Sequence, residues 1–382
     1  MLDRCNNLNH KKPLSASDKK KVKKILILSR VTAGADIAIT GVIIKRLAQS
    51  LPTAQLVLIG PSHLREMFGN TPNTCCLTFI YKNDGTLFEK MTSWPKLLTI
   101  TQKESQAYKP GEVLLFDPDS RLSQLGLLPL IDDQFTYTFP SRVSQPDELN
   151  NKNLSFLTNY WLNRILGEDK TIYPKLSFTA GKASLFTKFF ATVKAGGCKF
   201  VVTINFGVGN NPAKKISGHF EEALLNSLLQ TPDTVVVLDT GRGSNELLRV
   251  KHLLKVFKNK NIATAQITTD TIDKVPKTFR HGLVSFKGSL GALGEMIDAT
   301  DCFIGYDSCG QHLANATRTP AVILFAGAPT ARFIHRWAPT NKENVTIPVN
   351  TDSQYNDASL EPLLKNVESA VNKIRSRSIV SD

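Results

Sequence analysis

Residues 301–327, DCFIGYDSCGQHLANATRTPAVILFAG, constrain the fold more than any other stretch of the chain. The apolar run Cys302-Phe303-Ile304-Gly305 reads as a short buried strand. Asp307-Ser308 then opens a helix, with Ser308 as its N-cap and Gln311 as the capping-box partner three residues on. A second apolar strand follows over 321–325. Strand, helix and strand in so short a span predict a βαβ unit, whose crossover sets the helix N-terminus at the carboxyl edge of a parallel sheet, where ligands bind. The free backbone N–H groups and positive dipole end at that place form a cradle for phosphate.

The same alternation runs through the chain. A strand over 24–29 leads to a helix over 37–50, with Ile39, Val42, Ile43 and Leu47 on one face, Lys45, Arg46 and Gln49 opposite, and Pro52 ending it. Strands over 55–59, 77–81 and 113–116 and a helix around 87–100 complete a doubly wound half. Residues 151–167 carry Leu154, Leu157, Tyr160, Trp161 and Ile165 at helical spacing, predicting a helix packed on or between domains, with a linker around Pro174. The pattern restarts with strands over 200–205, 234–238 and 282–286 and helices over 220–229, 246–257 and 290–299. A last amphipathic helix spans 360–374. The expected fold class is α/β, two tandem Rossmann-like domains facing a crevice. The expected division is a basic disordered tail over 1–23, an N-terminal Rossmann-like domain with its linker helix over 24–175, a C-terminal Rossmann-like domain over 176–350, and a helix and tail over 351–382, the first domain taking the acceptor and the second the nucleotide sugar in the family resemblance given below.

Composition narrows the partners. No run approaches the roughly 18 apolar residues that span a bilayer, and the N-terminus carries no apolar leader, so a cytoplasmic protein is expected. The net charge is +14, of which residues 1–24, with 8 Lys or Arg against 2 Asp, supply +6. That tail reads first as a solubilising leader and second as a peripheral contact with an anionic membrane surface; nucleic acid is not expected. The six cysteines, at 5, 75, 76, 198, 302 and 309, form no Cys-x-x-Cys and no zinc spacing, so neither a disulfide framework nor a metal site is expected.

Three loops carry candidate chemistry. The turn from Arg30 to Asp36 lacks the three-glycine dinucleotide fingerprint, which argues against a nicotinamide cofactor; Asp36 suits proton removal from a hydroxyl, or capping of its own helix. In the second loop, Asn205, Gly207 and Gly209 permit close backbone approach, and Lys214 or Lys215 can neutralise a diphosphate. Third, Asp117-Pro118-Asp119-Ser120-Arg121 has the Asp-x-Asp spacing of a metal site in single-domain GT-A glycosyltransferases. Its place at a strand end in the first half makes Asp117, Asp119 and Arg121 acceptor-side or structural residues. The loop over 239–243 is a further candidate for the nucleotide pocket or an ordinary turn, and Trp337 for base stacking or core packing.

Asp307-Ser308, His312, Ala314, Ala316 and Pro320 resemble the donor-site signature of the heptosyltransferase-like glycosyltransferases, glycosyltransferase family nine, with Cys309 where the family usually carries Gly and Gly310 one place later. Asp36-Ile37-Ala38-Ile39-Thr40, followed by Leu51-Pro52-Thr53-Ala54, resembles the family's N-terminal Gly-Asp motif, with Ala35 in the glycine place. The resemblance implies the GT-B architecture, Asp36 as catalytic base, Thr40 on the acceptor side, and a donor held by Asp307, Ser308, Gly310 and His312. It places Lys214, with Lys215 as the alternative, at the leaving group; Ile216 and Ser217 stand where the family's tryptophan follows the lysine. The implied activity is inverting and metal-independent. A nucleotide-diphosphate sugar serves as co-substrate without a further cofactor, and the acceptor is a glycan or glycolipid. ADP-heptose and the lipopolysaccharide inner core of bacteria are the implied pair. The alternatives are a catalytically silent nucleotide-sugar-binding or scaffold protein and a two-Rossmann sugar-nucleotide epimerase or phosphorylase.

Overall fold

The structure, a computed structural model, describes residues 8, 12–30, 32–82, 84–118, 128–139, 147–178, 183–209, 211–349 and 357–380. The chain forms two compact units, Met1–Thr179 and Ala180–Asp382. Each is built on its own parallel sheet.

The first sheet has five strands: β1 (Lys24–Leu28), β2 (Gln55–Gly60), β3 (Thr74–Thr78), β4 (Val113–Asp117) and β5 (Thr136–Thr138). Their order is β3-β2-β1-β4-β5. Leu26 pairs with Val57 on one side and Leu115 on the other. Every residue of β1 is buried, as its unbroken apolar run requires when helices cover both faces. The chain steps outward from β1 first one way and then the other, so the boundary between β1 and β4 is the switch point, where loops part at the carboxyl edge and leave room for a ligand.

Beyond β1 a helical turn, Ala33–Ala35, passes into a π-helical stretch, Asp36–Thr40, and then into the helix Gly41–Ser50. The backbone N–H of Gly41 closes the wide turn on the carbonyl of Asp36. The helix Leu154–Leu166 packs on Gly41–Ser50 within this unit. Buried Arg46 fastens the two together, donating to Asn159 Oδ1 at 3.1 Å and to the carbonyl of Lys170 at 2.6 Å. Ser155 Oγ donates to the carbonyl of Ala38 at 2.9 Å.

The disordered tail expected through residue 23 is corrected over its second half. Ser15 caps a helix, Ala16–Lys21, by accepting from the backbone N–H of Asp18. Just before it, the N–H of Leu14 donates to the carbonyl of Ile165 at 2.8 Å, and Lys19 pairs with Glu168. A capped helix end and one shared backbone bond order a lysine-rich segment that has no apolar periodicity of its own.

The second sheet has seven strands: β6 (Phe200–Asn205), β7 (Thr234–Asp239), β8 (Thr264–Thr268), β9 (Gly282–Lys287), β10 (Cys302–Tyr306), β11 (Ala321–Ala326) and β12 (Val345–Val349). Their order is β12-β11-β10-β6-β7-β9-β8, which puts the switch point between β6 and β10. The C-terminal helix, Asp357–Val380, closes this core with Val367, Val371 and Ile374 against Leu224 and Leu228.

The strand expected over 77–81 lies three residues earlier, at β3. The single helix expected over 87–100 is two helices, Leu87–Met91 and Ser93–Ser105, because Thr86 and Glu89 form a capping box that fixes a short first turn. β5, β8 and β12 have no counterpart in the sequence expectations.

Candidate functional site

In the first unit the centre is Asp36. Its side chain is fully buried, and both oxygens are filled. Oδ1 accepts from the backbone N–H of Arg30 at 2.6 Å and from Thr40 Oγ1 at 2.8 Å. Oδ2 accepts from Ser29 Oγ at 2.7 Å and lies 2.9 Å from His63 Nε2. Asp36 therefore does not cap its own helix; its carboxylate turns back to the end of β1 and gathers the π-helical stretch around itself. Thr40 is wholly buried and commits its hydroxyl to Asp36. Asp117 ends β4 on the far side of the same switch point and is buried. Asp119 and Arg121 lie outside the described residues.

Sequence reasoning missed His63. It opens the short helix His63–Phe68 just beyond β2, 27 residues from Asp36, and belongs to no motif. A histidine at a strand-to-helix turn, at the same sheet edge as the aspartate, is the signal that was available.

In the second unit the loop after β6 folds through a short 3₁₀ turn, Pro212–Lys214, which aims Lys214 at the end of β10. Lys214 Nζ donates to the carbonyl of Asp307 at 3.0 Å and to its carboxylate, and lies 5.5 Å from the ring centre of Phe333. Asp307 is buried, and its other oxygen accepts from Gln311 Nε2. The capping box expected of Ser308 and Gln311 does not form. Ser308 is the N-cap residue of the helix Cys309–Thr317, but its side chain makes no cap bond, and Gln311 serves Asp307 instead. The amide is turned so that its N–H donates to the charged carboxylate next door, a stronger bond than its oxygen would gain by accepting from the N-cap N–H. Ser308 Oγ and Gln311 Oε1 are consequently buried with no partner among the described residues.

His312 lies one turn into this helix and is buried, its ring 5.5 Å from that of Trp337 in an edge-on contact. Burial pulls its pKa down to about 4, with Asp307 opposing and Lys214 reinforcing the shift. It is a neutral ring at physiological pH. Trp337, with candidate roles in stacking or in the core, stands against His312 and Phe333. Lys215 does not reach Asp307; it is among the charges acting on Glu221.

The glycine loops have a local cause. Asn205 spends its side chain inside the fold, accepting from the N–H of Gly207 at 2.9 Å and donating to Asp239 Oδ2 at 2.5 Å. Burial raises the pKa of Asp239 to about 6, against the lowering effects of Arg242 and Asn205. A Cβ at Gly207 would lie 2.7 Å from Glu246 Oε1. Glu246 Oε2 also accepts from the N–H groups of Arg242 and Gly243, at 2.8 and 3.0 Å. One carboxylate thus caps the 242–243 turn and stands close against Gly207, which the glycine spacing alone did not reveal. Gly209 has open space at its Cβ position and is required by its φ of 60°. A Cβ at Gly310 would collide with Phe303. Among the described residues no three His, Cys, Asp or Glu side chains are grouped to hold a metal ion.

The whole chain has structural relatives. A glycosyl transferase family 9 structure from Veillonella parvula aligns with a TM-score of 0.63 at 14% identity, over 93% of this chain and 97% of that one. The fold is that of glycosyltransferase family nine. Escherichia coli ADP-heptose lps heptosyltransferase II aligns at 0.60 and 14% identity, over 93% and 99%. E. coli heptosyltransferase WaaC with ADP-2-deoxy-2-fluoro heptose aligns at 0.54 and 13% identity, over 92% and 99%. No family model and no curated protein matches the chain. The family-nine fold accounts for the two Rossmann-like units in tandem, and the candidate residues of each sit at its switch point.

Proposed function

We propose that the chain is an inverting, metal-independent glycosyltransferase that moves a sugar from a nucleotide-diphosphate donor to a hydroxyl of a glycan or glycolipid. The observation that carries the reading is the Lys214–Asp307 pair at the head of the helix Cys309–Thr317. There an ammonium, a helix N-terminus and the unpartnered Ser308 Oγ and Gln311 Oε1 converge at the switch point of the second sheet. An ammonium beside a helix N-terminus suits a diphosphate, whose negative charge grows as it leaves. Two of the relatives above carry heptose donors in their names, which supports ADP-heptose as the first donor to try and lipopolysaccharide core as the first acceptor.

In the proposed reaction the second unit holds the nucleoside diphosphate, and the attacking hydroxyl loses its proton to the Asp36 centre of the first unit. One displacement at the anomeric carbon inverts its configuration. No helix among the described residues is long and apolar enough to cross a membrane. A cytoplasmic enzyme touching an anionic membrane through its basic N-terminal residues fits a glycolipid acceptor.

A thermal-shift screen against ADP, GDP, UDP and TDP and their sugars, with and without magnesium, tests the reading. Stabilisation by one nucleotide, indifferent to magnesium and lost in Asp307→Ala and Lys214→Ala, is the expected result. No shift with any of them overturns it.

A further inference from the structure

The chemistry around Asp36 does not suit direct attack by a carboxylate. Its two oxygens have about four lone-pair sites, and Ser29, Arg30, Thr40 and His63 occupy all of them. The side chain has no exposed surface through which a substrate hydroxyl could approach. His63 is different. Its side chain keeps 16% of its surface open, and its Nε2 is spent on Asp36.

The tautomer follows from the surroundings. A carboxylate only accepts, so Nε2 carries a proton, and in the neutral ring the lone pair is then on Nδ1. Nδ1 has no partner among the described residues and is not among the buried unpartnered atoms. A base whose second nitrogen is held by a buried carboxylate is the arrangement that fixes tautomer and ring orientation in nucleophile-activating sites.

Resting on the glycosyltransferase reading, we propose that His63 Nδ1, rather than Asp36, removes the acceptor proton, and that Asp36 is its positioning residue. The acceptor O–H bond breaks and its proton moves to Nδ1. The acceptor oxygen bonds to the anomeric carbon, and the carbon–oxygen bond to the diphosphate breaks with its electron pair leaving on the diphosphate. Asp36 stabilises the imidazolium so formed, which then returns the proton to solvent.

The test uses the full chain, with ADP-heptose as donor and purified lipopolysaccharide inner core as acceptor. His63→Ala should lower kcat by about 100-fold or more while the donor KM changes little, the range that general-base loss produces. Added imidazole should restore part of that rate, and His63→Gln, which keeps the bulk, should be as slow as His63→Ala. Asp36→Asn should also be slow but gain nothing from imidazole, because its histidine is still present in the wrong tautomer. Nitrogen-15 histidine spectra give a readout independent of turnover: the neutral ring of His63 should carry its proton on Nε2 in the wild type and lose that preference in Asp36→Asn. A protonated Nδ1, or a His63→Ala enzyme within about threefold of wild-type kcat, overturns the proposal. In the second case transfer itself stands and only the assignment of the base falls. A wild type that binds a nucleotide but transfers no sugar overturns the function reading, and the role of His63 with it.

Discussion

Asp36 and Asp307 are buried carboxylates, each beyond the carboxyl end of a strand that borders its sheet's switch point, yet they are held in opposite ways. Asp36 is gripped by a backbone N–H, two hydroxyls and an imidazole, all anchored on short, rigid supports. Asp307 is held by the end of a long lysine side chain and by one amide. A ligand must break several bonds at once to claim Asp36, but Lys214 can swing from Asp307 to a phosphate by rotating its own stem. The first arrangement preserves a geometry; the second keeps a charge ready to be shared.

The largest expected effect comes from dismantling the rigid side. Asp36→Leu strands four donors in a closed interior and should cost about 3–5 kcal/mol, read as a lower urea midpoint. Next is the pH response of the second centre. The pKa of His312 is lowered on folding, so its contribution is complete above the ordinary histidine value of 6.5 and is lost as pH falls through about 4. About 3 kcal/mol should disappear across that window in pH-dependent melts, and His312→Phe should flatten the slope. Lys214→Met should cost less, about 2 kcal/mol, because Gln311 still donates to Asp307, but it should abolish stabilisation by ADP. The smallest effect is expected at Glu246→Ala, about 1 kcal/mol for a lost capping carboxylate, with faster amide exchange at Arg242 and Gly243, whose N–H groups it accepts from, as the sign.

The central strands were readable because burial on both faces leaves an unbroken apolar run, as in KILIL of β1 and AVILFA of β11. The strands that were misplaced or missed, β3, β5, β8 and β12, are all edge strands of the two sheets. Their sequences are half-polar because one side lacks a neighbour: TAQIT and VTIPV do not announce strands, and the register of TCCLT is not visible from its letters. At the candidate sites, Asp36, Lys214, Asp307 and His312 could be singled out because each sits near glycine, proline or an apolar strand in a short segment. His63 and Glu246 act on residues 27 and 39 positions away, the latter at Gly207, and only the folded sheet edges bring such partners together. Ser308 and Gln311 fit a capping pattern by letter, but the pattern does not say whether the amide will accept from the N-cap N–H or donate to the neighbouring carboxylate.

The π-helical stretch Asp36–Thr40 ties function to chain length. A widened turn holds one residue more than a regular one, so removing a single residue from 37–39 would let the helix close at normal pitch while the buried face of Gly41–Ser50 stays in place. The flanking apolar positions would keep their places after such a change, but Thr40 would no longer stand four residues from Asp36, and the hydroxyl that now donates to its carboxylate would be re-aimed. The helix can thus tolerate substitution more readily than deletion: this short segment keeps count of residues as strictly as it keeps their identity.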